Sequence, residues 1–281
     1  SNRLHGNSSG LITNMSGGMG EGWGDFYGHA MLSEPSDPIN GIYTTGSYDT
    51  YRGAQSGAYF SNYYYGIRGF PKAVIAFTGG PNNRPHNPLT FADADATQLN
   101  TSDGAYPRGP FGASSQADQV HRLGEIWSSA LWEVRAKLIA RHGWEIGNRR
   151  TLQIVMDGMK LAPLGPTFLT ERDAIIAAAQ ELGGSDTADV WAGFALRGMG
   201  FSAQVLVNGS PGSTRVVEAF DLPNLRQFPA FTVSDSSGNN NGYLEPAENV
   251  IVSVPVNNPT GTTATGVTVS VNGGPAVNYG T

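Results

Sequence analysis

Between Gly17 and Asp25 the chain reads Gly-Gly-Met-Gly-Glu-Gly-Trp-Gly-Asp, with five glycines in nine positions. Glu21 and Asp25 stand at i and i+4, so a helix puts both carboxylates on one face. On an open helix two like charges at that spacing cost only a few tenths of a kcal/mol. Partly buried, the same pair repels by about 3 kcal/mol at an effective dielectric constant of 20. A Zn2+ on Glu21, with Asp25 hydrogen-bonded to a metal-bound histidine, removes that conflict. A solvated polar face removes it too, without any site. Each glycine inside a helix costs about 1 kcal/mol relative to alanine. Such a segment survives where another backbone must lie against it, or where it must carry a site.

The other chemistry-bearing residues are sparse. The five histidines are His5, His29, His86, His121 and His142, and no two stand four apart, so the zinc-binding HExxH pattern is absent. There is no cysteine, which removes disulfides, thiolate metal sites and cysteine nucleophiles together. Gly6-Asn7-Ser8-Ser9-Gly10 has the letters of a serine-hydrolase elbow, but that turn must follow a buried strand and five mostly polar residues stand before it. The glycines at 17–24 fail the dinucleotide pattern, because Trp23 or Asp25 takes its last position, and no lysine follows a glycine as a P-loop requires. Residues 237–248 have the layout of a calcium loop, with Asp235, Asn239, Asn241, Glu245 and Glu248 as candidate Ca2+ ligands. The alternative is an Asn/Gly turn between strands. Tyr59, Phe60 and Tyr63 to Tyr65, with Phe70, either line a substrate cleft, in which Arg68 would hold a peptide carbonyl, or pack in the core.

These residues need elements to position them. Apolar residues from Met19 to Met31 fall at helical spacing and Pro35 stops that helix. Residues 36–113 show no sustained period. A long helix is expected over Ser115–His142, with Gly143 as its stop. Shorter ones are expected over Leu152–Leu161, after a capping box at Thr170 to Asp173, and from Ser185 to about Gly198. Beyond residue 204 short valine-rich runs between Asn, Gly, Pro and Thr read as strands. Composition limits the rest. Charged residues make up 14% of the chain, against about 25% in an average domain, and the net charge of −6 argues against nucleic acid as partner. No apolar run approaches the roughly 18 residues of a membrane span.

Ser1-Asn2-Arg3-Leu4 followed by Ser16-Gly17-Gly18-Met19-Gly20-Glu21-Gly22-Trp23-Gly24-Asp25-Phe26 resembles the fungalysin family of zinc metallopeptidases, relatives of thermolysin. The resemblance continues through Val120-His121-Arg122-Leu123-Gly124-Glu125-Ile126-Trp127, then Asp157 to Pro163 and Ala192 to Gly200, and so covers roughly the first 200 residues in order. It implies the mainly α, helical C-terminal lobe of a thermolysin-like metallopeptidase over residues 1–204. A linker over 205–225 and a small all-β, β-sandwich-like module over 226–281 are expected to follow. It also implies a secreted enzyme that cleaves peptide or protein substrates with a zinc-bound water. In that family an upstream HExxH helix supplies two histidine ligands and the general base, and the matching position here makes Glu21 the third ligand. Asp25 would hold a metal-bound histidine in its tautomer. His121 would stabilise the oxyanion, worth about 3–4 kcal/mol of barrier, and Asp118, three residues earlier, would orient it.

Without HExxH, the expectation is a polypeptide that starts just downstream of the catalytic helix. Alone it would not be a competent protease and would bind zinc weakly, completed only by an N-terminal lobe carrying HExxH. The competing expectation is a binding or structural fragment that keeps the fold without zinc.

Overall fold

In the computed structural model the described residues are 1–6, 9–48, 63–98 and 117–223, then 226–227, 232–243, 245–254, 256–258, 263, 265 and 267. Five α-helices occur among them. Helix α1 spans Asn14–Leu32, and a capping box closes its first turn. The Ser16 amide donates to the Thr13 hydroxyl at 3.2 Å and the Thr13 amide donates to the Ser16 hydroxyl at 3.0 Å. That cap starts the helix five residues before the first apolar position that periodicity picks out.

Helix α2 spans Val120–His142 and is capped by Gln119, whose side chain accepts from the His121 and Arg122 amides. Asp118 therefore stands before the helix and not on it. Gly143, at φ +79°, turns the chain directly into α3, Trp144–Leu161. Helix α3 opens before the expected Leu152. Its first two turns are polar, and their place is secured by tertiary contacts: Asn148 donates to the Ala30 carbonyl and accepts from Arg135. Helix α4 spans Phe168–Glu181, and its capping box is Thr167 with Thr170, not Thr170 with Asp173. Pro166 precedes the cap, and Thr167 keeps the extended backbone a cap requires (φ −87°, ψ 167°). Helix α5 spans Thr187–Leu196.

Helix α2 is central, packing against α1, α3 and α5, while α4 packs on α3. Leu123, Ile126, Trp127, Ala130, Leu131, Trp132, Val134 and Leu138 are all buried on it. Trp127 gathers Trp23 edge-on at 6.1 Å, Phe168 at 5.2 Å and Phe194 at 5.8 Å between ring centroids.

Residues 1–223 and 224–281 form two separate units. Strands β1 (Gln204–Val207) and β2 (Arg215–Val217) pair antiparallel inside the first unit, so much of the stretch expected as linker is a hairpin belonging to the helical unit. Asp118 fastens it, accepting from the Gly212 amide at 2.7 Å and the Thr214 hydroxyl at 2.7 Å. In the second unit β3 (Arg226–Gln227) pairs with β6 (Val256–Asn257), and β4 (Thr232–Ser234) with β5 (Ile251–Ser253), both antiparallel. The architecture is the expected one, a mainly α lobe followed by a small β module.

Candidate functional site

The glycine string lets two backbones touch. A Cβ on Gly22 would stand 2.5 Å from the Gly124 carbonyl oxygen, and a Cβ on Gly124 would stand 2.8 Å from Glu21 Cβ and 2.9 Å from the Gly22 nitrogen. No side chain fits there, so α1 and α2 meet main chain to main chain. That approach brings Glu21 and His121, a hundred residues apart in sequence, within a hydrogen bond. His121 Nδ1 donates to Glu21 Oε2 at 2.9 Å. Both groups reach solvent, the His121 side chain being 54% and Glu21 38% exposed. With Nδ1 engaged, Nε2 is the ring nitrogen left for a ligand.

Arg68 resolves the conflict between the two carboxylates of α1. Its Nε donates to Asp25 Oδ2 at 2.8 Å and its Nη2 to Asp25 Oδ1 at 2.9 Å, a bidentate pair nearly closed to solvent (10% and 7% exposed). The same Nη2 lies 3.5 Å from Glu21 Oε2. Burial opposes the guanidinium charge, but the Asp25 hydrogen bonds and the Asp25, Glu125 and Glu21 charges outweigh it and raise its pKa.

A strap of irregular chain carries Arg68 into place, bound along the buried face of α2. The Gly69 and Phe70 amides donate to Glu125 Oε2 and Oε1 at 2.9 and 2.7 Å. Lys72 Nζ donates to Ser128 Oγ, and the Ile75 amide to Glu133 Oε1 at 2.6 Å. Lys72 also exchanges backbone hydrogen bonds with Tyr43, and Asn87 donates to the Pro71 carbonyl. Burial pushes Glu125 up to about 7, against the pull of the Gly69 and Phe70 amides, Lys72 and Arg68. Burial likewise brings Lys72 down to about 8.

The structure thus brings Glu21, Asp25, His121 and Arg68 together and leaves Asp118 apart. The carboxylate expected to orient His121 is taken up by Gly212, Thr214 and Asn14, and the partner His121 has is Glu21. These bonds outweigh burial and hold Asp118 below its ordinary pKa, as suits a buried anchor. Arg68, read as a holder of a peptide carbonyl, spends two donors on Asp25. Tyr65 and Phe70 of the aromatic cluster are core residues, while Tyr59 and Phe60 lie outside the described residues, as does Ser8 of the elbow-like pentad. In the second unit Asp235 accepts from the Gly242 amide, Glu248 from the Asn239 and Glu245 amides, and Glu245 from the Asn239 and Asn241 side chains. Among the described residues no group of three or more His, Asp and Glu side chains is placed to hold a metal ion. Around Glu21 the chain offers one carboxylate already bound by an arginine and a histidine, which does not make a zinc coordination set.

Motif reading missed Glu125, Lys72 and Ser128. The signal was present: in a chain with few charges, a glutamate interrupts the apolar face of the longest helix, and an acid fully inside a core needs a partner.

The family model for fungalysin metallopeptidases (M36) matches residues 1–203. An extracellular metalloproteinase of Pyrenophora tritici-repentis is 33% identical over 241 residues, covering 79% of this chain and 30% of the relative. The extracellular metalloproteinase mep of Aspergillus fumigatus is 34% identical over 233 residues, 77% of this chain and 31% of that protein. Extracellular metalloproteinase 9 of Uncinocarpus reesii is likewise 34% identical over 233 residues, with the same coverage of both chains. The chain spans about 30% of the length of the curated relatives it matches. With the match running through Glu21, Asp25, Arg68 and His121, the chain belongs to the fungalysin family of metallopeptidases.

Proposed function

We propose that this chain is the helical lobe of an extracellular zinc-dependent endopeptidase, and that catalysis also needs an HExxH helix, carried by the same precursor or by a separate chain. The observation that carries this is the meeting of Glu21 and His121 at the glycine contact of α1 and α2, with Arg68 and Asp25 behind them. Glu21 presents a partly exposed carboxylate as one metal ligand. His121, as an imidazolium that keeps its Nδ1–H on Glu21, would present Nε2–H to a peptide carbonyl oxygen as negative charge develops on it. Asp25 anchors Arg68, whose Nη2 lies 3.5 Å from Glu21 Oε2 and holds that carboxylate in place. Zinc, when bound, would supply Lewis acidity to the site. The extracellular location follows from the names of the relatives, and no described helix is long and apolar enough to cross a membrane.

Mixing the chain with an HExxH-bearing N-terminal lobe and zinc is expected to produce peptidase activity, lost in Glu21→Gln. Calorimetric titration of the isolated chain with Zn2+ is expected to show binding weaker than micromolar. Stoichiometric submicromolar binding would refute the need for HExxH. The reading as a fragment that keeps the fold without zinc is favoured by one observation, that Glu21 already has Arg68 and His121 as partners. Activity on mixing excludes it.

A further inference from the structure

Before Arg68 the strap is held by the Ile67 amide on the Thr45 carbonyl at 3.0 Å, and directly after it by a buried acid with no part in the proposed chemistry. Glu125 lies inside α2, almost wholly buried, and gives one carboxylate oxygen to each of the two amides that follow Arg68. We propose that Glu125 is a positioning residue: by holding the Gly69 and Phe70 amides it sets Arg68 against Asp25 and Glu21.

Three observations carry this. First, two consecutive amides bound at 2.9 and 2.7 Å fix the peptide plane immediately after Arg68, and with it the point from which the arginine side chain starts. A shift of about 1 Å there would take the Asp25 hydrogen bonds past the length at which they count. Second, Gly124, the residue before Glu125, is the one that touches Glu21 and Gly22. One step of α2 therefore docks both the helix bearing Glu21 and the strap bearing Arg68. Third, a carboxylate in a core carries a desolvation cost that a neutral residue would avoid. Its two oxygens meet main-chain donors of the strap, and the cations around it, Arg68 and Lys72, belong to that same strap. Elsewhere the strap is held by neutral or more distant groups: Ser128 on Lys72, Asn87 on Pro71, and Glu133 on Ile75.

Its consequence for catalysis rests on the proposed function, but its geometry does not, and the test separates the two. The Arg68 Nε–H, hydrogen-bonded to Asp25 and nearly closed to solvent, can be followed by nitrogen-15 NMR as slow exchange with water, with the buried Arg135 Nε–H, bonded to Asn148 at 2.7 Å and away from the strap, as internal reference. In the full chain Glu125→Gln, which puts an amide NH2 where a backbone donor needs an acceptor, is expected to speed Arg68 exchange about tenfold or more while leaving Arg135 unchanged. Glu125→Asp keeps the charge, retracts it by one methylene, and is expected to act in the same direction. It serves if the glutamine variant does not fold. Unchanged Arg68 exchange in either folded variant overturns the proposal, as does a parallel loss at Arg68 and Arg135, which would make Glu125 a general core residue. With the HExxH-bearing lobe added, Glu125→Gln is expected to lower kcat/KM along with Arg68 protection. Failure of the unmodified chain to gain activity on mixing would strike the proposed function and leave the exchange result standing.

Discussion

Glu21 and Asp25 tolerate each other because Arg68 lies against both, so a cation from a distant strap does what a metal and a histidine were expected to do. The spacing of the two acids announced the conflict, and only the fold shows its resolution. One helical turn further along α1, His29 is half-buried near Lys72, Asp25 and Arg135, with Nε2 at 2.9 Å from the Thr45 hydroxyl. Burial, with Lys72 and Arg135, brings its pKa down from 6.5 to about 4, Asp25 opposing. The unfolded chain then takes up a proton near pH 6.5 that the folded chain refuses until about pH 4. Stability from this group is therefore complete above pH 6.5 and lost as the pH falls to 4, by about 3 kcal/mol. His29→Gln keeps a partner for Thr45 and is expected to flatten the unfolding free energy over that window by about this amount, measured by urea denaturation at pH 7 and pH 4. Equal losses in both proteins would show that His29 is not the group involved.

At the scale of elements, the glycines of α1 divide by what lies opposite them. Gly22 faces the Gly124 carbonyl at a distance no Cβ can share, whereas Gly24 has nothing within 4 Å of its Cβ position. Gly22→Ala is expected to destabilise by about 1–3 kcal/mol through overpacking, although alanine favours the helix. By forcing α1 and α2 apart it should also break the hydrogen bond between His121 and Glu21. Gly24→Ala is expected to stabilise by up to about 1 kcal/mol. Thermal unfolding of the two variants, side by side, checks the opposite signs. The helices themselves were legible because α2 and α5 carry apolar residues at helical spacing. Their starts were not, because the caps at Thr13, Gln119 and Thr167 act through a pair of local hydrogen bonds each, which periodicity does not register. The polar opening of α3 escaped for a related reason, since Asn148 is tied to Ala30 and Arg135 across the fold.

For the whole molecule, the boundary between units carries a prediction. The first unit runs to Pro223 and includes the β1–β2 hairpin, fastened to Asp118 through Gly212 and Thr214 and to Asp95 through the Val216 amide at 3.2 Å. Residues 1–223 are expected to fold with undiminished stability. Cutting at residue 204 removes these three donors, leaving Asp118 with Asn14 and Asp95 with Thr97 and Gln98, and is expected to cost about 4.5–9 kcal/mol, taking hydrogen bonds to charged groups at about 1.5–3 kcal/mol each. Guanidinium denaturation of the two truncations tests this, and equal stability would mean that the hairpin is only an adjunct. Composition marked the change from helix to strand near residue 204, but the first strands after it belong to the helical unit, because the acids that need them lie there.

The sequence by itself determined the family, the order of helices followed by strands, the absence of thiol chemistry, and the pairing of Glu21 and Asp25 on one face. These are properties of local spacing and residue type, which survive in a linear string. The tertiary structure decided the partners: Arg68 for Asp25, Glu21 for His121 in place of Asp118, Glu125 for the strap, and Asp118 for the hairpin. Each joins residues at least 43 apart. A buried charge must find an opposite charge or a donor wherever the packed backbone puts one, and the packing that puts it there is a property of the whole fold.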